Sequence, residues 1–208
     1  MSEQTRNRNI ILAVDVQNDF INGSLAVPAG ENVVEPLNNL TEAARVAGDT
    51  VVFTRDWHPE TTPHFDTWPV HCVQGTEGAS FYPALDIDSG DIIISKGMGQ
   101  TDGYSGVEGI SDDGTTLETL VAPKSPAEKV RVFIGGLATD YCVKATALDL
   151  AQHFADEPRV ELFLIRDAVR AVKLQQDDER KALDAMEAAH IAALTSDEIM
   201  ARFYTQEA

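Results

Sequence analysis

Val130-Arg131-Val132-Phe133-Ile134-Gly135-Gly136-Leu137-Ala138-Thr139-Asp140-Tyr141-Cys142 is the stretch that decides the fold. Val130 to Ile134 is β-branched and aromatic and reads as a strand, and Gly135-Gly136 supplies a turn. Val143, Ala147, Leu150 and Phe154 then recur at helical spacing. Strand, glycine turn and helix in that order open a βαβ unit, the building block of a parallel sheet. Other strand-like runs repeat the theme: Ile10-Ile11-Leu12-Ala13-Val14, Thr50-Val51-Val52-Phe53-Thr54, Ile92-Ile93-Ile94-Ser95 and Val160 to Ile165. Val33, Leu37, Leu40 and Ala44 share one face of a helix between the first two. Asp177 to His190, with Leu183 and Met186 inward, reads as the last amphipathic helix. The expected fold is α/β: one domain over residues 1–208, in three α/β/α layers around a mainly parallel central sheet.

Bulk properties narrow the function classes. The formal charge of -18 opposes binding to nucleic acid, whose phosphates demand basic patches. No apolar run approaches the roughly 20 residues needed to cross a bilayer, so no membrane partner is expected. The polar stretch from Met1 to Asn9 has no apolar core of a secretory signal. Cys72 and Cys142 are the only cysteines, too few for a disulfide framework, and the expectation is a cytoplasmic protein with reduced thiols.

In a parallel sheet the carboxyl ends of the strands share one edge, where ligands bind. Three runs lead there into groups that do chemistry: Asp15, Lys96 and Cys142. Each also has a bland reading. Asp15 fits a turn acid, Lys96 a side chain that snorkels to solvent, and Cys142 a small buried hydrophobe. With Thr139 or Asp140 as N-cap, however, the Cys142 sulfur lies in a first helical turn, where the dipole favours a thiolate and free N–H groups favour an oxyanion. Convergence of an acid, an amine and a thiol on one edge weakens the bland readings jointly.

From Pro59 to Leu85 the periodicity fails, and Pro, Gly and aromatic residues dominate; Gly97 to Gly114 is a second irregular stretch. Long loops inside a compact domain are usually functional or disordered, and this composition argues against disorder. Asp56, His58, His64 and His71 gather in the first of them, a donor set that suits zinc, iron or manganese. Their spacing is no zinc-finger signature, and a His-rich loop also reads as polar surface. Cys72 reads as structural, and His153 and His190 lie on helical stretches without clustered partners.

Together these blocks resemble the nicotinamidase (pyrazinamidase) branch of the isochorismatase-like cysteine hydrolases. The resemblance rests on Asp15-Val16-Gln17-Asn18-Asp19-Phe20, Asp56-Trp57-His58-Pro59 with His64, Trp68-Pro69-Val70-His71-Cys72, Ser95-Lys96-Gly97, Asp102-Gly103-Tyr104-Ser105-Gly106, and Gly135 to Cys142. It spans roughly residues 10 to 172, and the tail beyond Val172 is expected to add only a helix. The short Phe65-Asp66-Thr67 link departs from longer versions in some members.

The resemblance implies that Cys142 is the nucleophile, Asp15 its proton acceptor and Lys96 the cation that steadies the thiolate. It implies one divalent metal ion on Asp56, His58, His64 and His71, zinc first, with iron or manganese as alternatives, and Gln17 beside that shell. It implies an oxyanion hole at the N–H groups of Ala138 and Cys142, beside a cis Leu137–Ala138 peptide. Phe20, Trp68, Tyr104 and Tyr141 would form the wall of the substrate site. The implied reaction converts nicotinamide to nicotinate and ammonia through a thioester, with pyrazinamide a second substrate; a homo-oligomer is compatible with it. The alternatives are another small-molecule amidase or hydrolase of that superfamily, a metal-hydroxide hydrolase in which Cys142 is incidental, and a non-enzymatic metal-binding module.

Overall fold

Along the first strand, β1 (Arg6–Val14), alternate side chains enter two different cores. Ile11 and Ala13 pack on one face of the sheet, and Ile10, Leu12 and Val14 on the other. All five are at most 1% exposed, so the strand is covered on both sides and belongs to the middle of a layered structure. The computed structural model describes residues 6–99 and 103–205. After β1 come α1 (Asn18–Ile21), α2 (Val34–Ala47), β2 (Thr50–Asp56), β3 (Ile92–Lys96) and α3 (Leu117–Val121). Next are β4 (Glu128–Leu137), α4 (Lys144–His153), β5 (Val160–Arg170), α5 (Asp178–Ala188), β6 (Ala192–Leu194) and α6 (Ser196–Ile199).

The strands form one sheet in the order β3-β2-β1-β4-β5-β6, and every adjacent pair is parallel. Leu37, Leu40 and Ala44 of α2 and Ile199 of α6 close one face. Ala147 and Leu150 of α4, Leu117 and Val121 of α3, and Met186 of α5 close the other. The three-layer α/β/α expectation holds. From β1 the chain builds outward through β2 and β3, then returns to lay β4 on the other side of β1. The crevice between the ends of β1 and β4 is therefore the topological switch point, the favoured place for a ligand.

Gly136 makes that crevice tight. It sits opposite Val14 with φ of 110°, and a Cβ there would fall 2.1 Å from Val14 O. Only glycine lets the two strand ends come this close.

Three expectations need correction. The tail beyond Val172 adds α5 but also β6 and α6, and β6 extends the sheet by pairing with β5. β5 continues past Ile165 to Arg170. Neither Thr139 nor Asp140 caps the helix through its side chain: Ala138 is the N-cap, and Thr139–Val143 forms a wide π turn that runs into α4. The Asp140 carboxylate instead accepts the N–H groups of Val172 and Lys173, at 3.0 and 2.9 Å. Asp102 lies outside the described residues.

Candidate functional site

Parallel register brings the groups together. Asp56 and Lys96 are paired neighbours at the ends of β2 and β3. Asp15 directly follows β1, and Cys142 lies in the turn after β4. Lys96 is fully buried and reaches across all three: its Nζ is 2.8 Å from Asp15 Oδ2, 2.5 Å from Asp56 Oδ1 and 3.5 Å from Cys142 Sγ. It also donates to Gly103 O at 3.0 Å. The snorkelling alternative for Lys96 is excluded by this burial.

Burial would strip the Lys96 charge, but Asp15 and Asp56 outweigh it and hold its pKa well above the ordinary value, so it is a permanent cation. Burial likewise pushes the Asp56 carboxylate upward, and the Lys96 ammonium overcomes that and leaves it below the usual range. For Asp15 burial wins over Lys96, and its pKa is raised. The Cys142 thiol is driven well above its ordinary value by burial, with Lys96 offsetting only part. Burial thus acts on the sulfur against the direction that the helix start favours, and a proton acceptor beside the thiol assists its ionisation. Asp15 is such a group, with a carboxylate oxygen within 4.8 Å of the Cys142 sulfur.

Asp56 faces two ways. While Oδ1 meets Lys96, Oδ2 lies 3.7 Å from His58 Nε2 and 3.9 Å from His71 Nε2. Ligand-capable atoms of His58, His64 and His71 all lie within 4.8 Å of one another, and all three residues are buried. The His58 and His64 rings stack at 4.6 Å. His58 Nδ1 lies 2.9 Å from Gly97 O and His71 Nδ1 lies 2.7 Å from Pro69 O. A carbonyl only accepts, so each Nδ1 carries the proton and each Nε2 presents a lone pair inward. Burial lowers the His71 pKa and keeps that ring neutral.

His58 Nε2 is buried with no hydrogen-bond partner among the described residues. Inward lone pairs beside a carboxylate, one of them orphaned, fit a divalent cation better than any hydrogen-bond network. Gly97, with φ of 69°, packs so closely on His58 that a Cβ would sit 2.6 Å from its ring. Gln17 holds the Asp56 main chain at both ends, accepting its N–H and donating to its C=O, each at 2.8 Å, and donates to Ala79 O as well.

Above this cluster a pocket is lined by Phe20, Trp68, Tyr104 and Tyr141, with Asp56, His64, His71, Ala138 and Cys142 at its base. All four aromatic residues expected from the sequence line this pocket. Trp68 Nε1 donates to the Tyr104 hydroxyl at 2.8 Å, and the Trp68 ring meets Tyr141 edge-on at 5.0 Å. Leu25, Val27 and Val172 complete the lining. Sequence reasoning missed them because isolated apolar residues in loops have no period to betray them.

The peptide between Leu137 and Ala138 is cis. The N–H groups of Tyr141 and Val143 both turn back to Ala138 O at 3.1 Å, and that of Cys142 lies between them in the same turn. Cys72 stands apart from this chemistry. It is buried in a left-handed conformation with φ of 45°, its sulfur 3.9 Å from Gly78 O, and burial raises its thiol. Both cysteines are free.

The isochorismatase domain model matches residues 9–198. The nicotinamidase/pyrazinamidase of Mycobacterium tuberculosis is 39% identical over 152 residues, 69% of this chain and 78% of that protein. The nicotinamidase of Escherichia coli is 32% identical over 201 residues, 86% of this chain and 91% of that protein. Among solved structures, the pyrazinamidase of Pyrococcus horikoshii in complex with zinc superposes with a TM-score of 0.75 at 37% identity, over 90% of this chain and 99% of that one. PnC1 from L. infantum in complex with nicotinate gives 0.74 at 29% identity, over 95% of this chain and 98% of that one.

Proposed function

Because the chain belongs to the isochorismatase family, with nicotinamidases among its relatives, we infer that it hydrolyses nicotinamide to nicotinate and ammonia, and pyrazinamide likewise. The observation that carries the mechanism is the single buried Lys96 in contact with Asp15, Asp56 and Cys142 below an aromatic pocket.

Asp15 takes the thiol proton as the Cys142 sulfur attacks the carboxamide carbon. Lys96 keeps positive charge beside the sulfur and the acid throughout. The tetrahedral oxyanion rests on the N–H groups of Ala138 and Cys142, which are fixed before the reaction and need little reorganisation. Asp15 then gives its proton to the departing nitrogen, ammonia leaves, and a thioester remains on Cys142. As a carboxylate again, Asp15 accepts a proton from the water that hydrolyses the thioester to the acid. Phe20 and Trp68 hold the flat ring, with Tyr104 and Tyr141 behind. Asp56, His58, His64 and His71 would hold a divalent ion, zinc in this reading and iron or manganese otherwise, which would supply a Lewis acid for the ring nitrogen.

Among the described residues no helix is long and apolar enough to cross a membrane. The two free thiols support a reducing, cytoplasmic setting.

The test is a comparison of ring isomers. Nicotinamide should release ammonia and nicotinate. Picolinamide, whose nitrogen adjoins the carbon bearing the carboxamide, cannot present both groups in one pose and should react far more slowly. Equal rates would remove the ring anchor, and no ammonia from either would move the chain to other amides.

A further inference from the structure

Thr54 lies two residues before the end of β2, opposite Val14 in the strand register, and touches Asp15, the residue after Val14, twice. The Asp15 N–H donates to Thr54 O at 3.2 Å, and Thr54 Oγ1 donates to Asp15 Oδ1 at 2.6 Å. Both residues are fully buried. Lys96 meets the other oxygen, Oδ2, at 2.8 Å. Each carboxylate oxygen thus has its own neighbour from a different strand, and the plane of the group is fixed between them. Asp15 itself has left the strand conformation, with φ of 51°, so its side chain is not aimed by the sheet pleat alone.

Lys96 alone does not set that plane. An ammonium acts on a carboxylate as a point charge, without the fork that fixes a guanidinium pair. Rotation of the carboxylate about the Lys96 contact would change the face that Asp15 offers the sulfur, which lies within 4.8 Å of one of its oxygens. The Thr54 hydroxyl opposes that rotation by keeping Oδ1 at β2. Thr54 does not line the pocket, so it acts on substrate only through Asp15.

We propose that Thr54 is a positioning residue for the hydrolysis: its hydroxyl holds the Asp15 carboxylate in the orientation that exchanges a proton with Cys142 and with the leaving nitrogen. The inference rests on Asp15 as the proton acceptor. Replacement by valine keeps the shape and removes the donor.

In the metal-loaded enzyme Thr54→Val should lower kcat by about 10- to 100-fold, the worth of one hydrogen bond to a charged group. KM for nicotinamide and metal content should not change. Thr54→Ser, which keeps the hydroxyl, should stay within about threefold of wild type in kcat. If the valine variant does not fold, Thr54→Ala with a melting curve serves in its place. A wild-type kcat without the hydroxyl would overturn the proposal. So would a loss matched by lost metal, or a serine variant as slow as the valine one. Asp15→Asn separates this from the reading beneath it: turnover in that variant overturns the role of Asp15, whereas an inert Asp15→Asn beside a normal Thr54→Val overturns Thr54 alone.

Discussion

Lys96→Met removes one charge from the centre of the site and leaves the shape nearly unchanged. In the native protein the side chains of Lys96, Asp15 and Asp56 are 0%, 0% and 5% exposed, with Nζ at 2.8 and 2.5 Å from the two acids. Breaking a buried pair from one side costs about 3–5 kcal/mol, because the partner is left charged and desolvated. Here one cation serves two acids, so the upper part of that range applies to the metal-depleted protein. At about 2–4 °C per kcal/mol for a chain of this size, Tm should fall by about 10–20 °C.

The loss should depend on pH with a definite sign. Burial already raises the Asp15 pKa, and Lys96 is the principal force lowering it. Without Lys96 it rises further, and Asp56 loses the charge that brings it below the usual range. A carboxyl whose folded pKa is raised binds more protons folded than unfolded. Its stability is intact below the unfolded pKa and is lost as pH rises through the folded one. Urea denaturation of wild type and variant should therefore differ least below the unfolded carboxyl pKa of about 4 and increasingly as pH rises above it. Equal stability of the two proteins at higher pH, or a deficit that grows on acidification, would refute the electrostatic account of the site.

Other consequences follow from single contacts. Gln17→Leu leaves both main-chain groups of Asp56 buried and unpaired, and metal affinity measured by chelator competition should drop about 10- to 100-fold; unchanged affinity would leave Gln17 a purely structural residue. His58→Ala should lose the metal, and its activity on nicotinamide should fall far more than on benzamide, which has no ring nitrogen; equal losses would point to a metal-activated water instead. Gly136→Ala drives a Cβ to 2.1 Å from Val14 O at a positive φ, so calorimetry should find destabilisation of at least about 3 kcal/mol, and a native-like Tm would contradict the tight crevice.

The strands that could be read from the sequence are those buried on both faces, where uninterrupted apolar runs leave little ambiguity. β6 was illegible because it is three residues long, Ala192-Ala193-Leu194, with only Leu194 buried. The extension of β5 through Arg166 and Asp167 breaks the apolar run, and a register shift opposite Ile134 and Gly136 disguises it further. In the site, Asp15, Lys96, Cys142 and the His-rich loop announced themselves because charged and reactive groups at the ends of apolar runs are anomalous. Thr54 did not, since a threonine in a strand is ordinary until its hydroxyl is seen on Asp15. Asp140 misled: beside a helix start it reads as a cap, yet its carboxylate fastens the Val172 wall to the turn that carries Cys142.

The central claim is that amide hydrolysis runs through the Cys142 sulfur, and graded alkylation tests it most directly. Samples treated with iodoacetamide to different extents are divided: peptide mass analysis gives the fraction of Cys142 modified, and ammonia release from nicotinamide gives the remaining activity. Cys72, fully buried and outside the pocket that Cys142 lines, serves as the internal control for selectivity. Activity should fall in proportion to modified Cys142 and reach zero when modification is complete, with metal content unchanged. Ammonia release that persists on fully modified Cys142 would contradict the thioester mechanism.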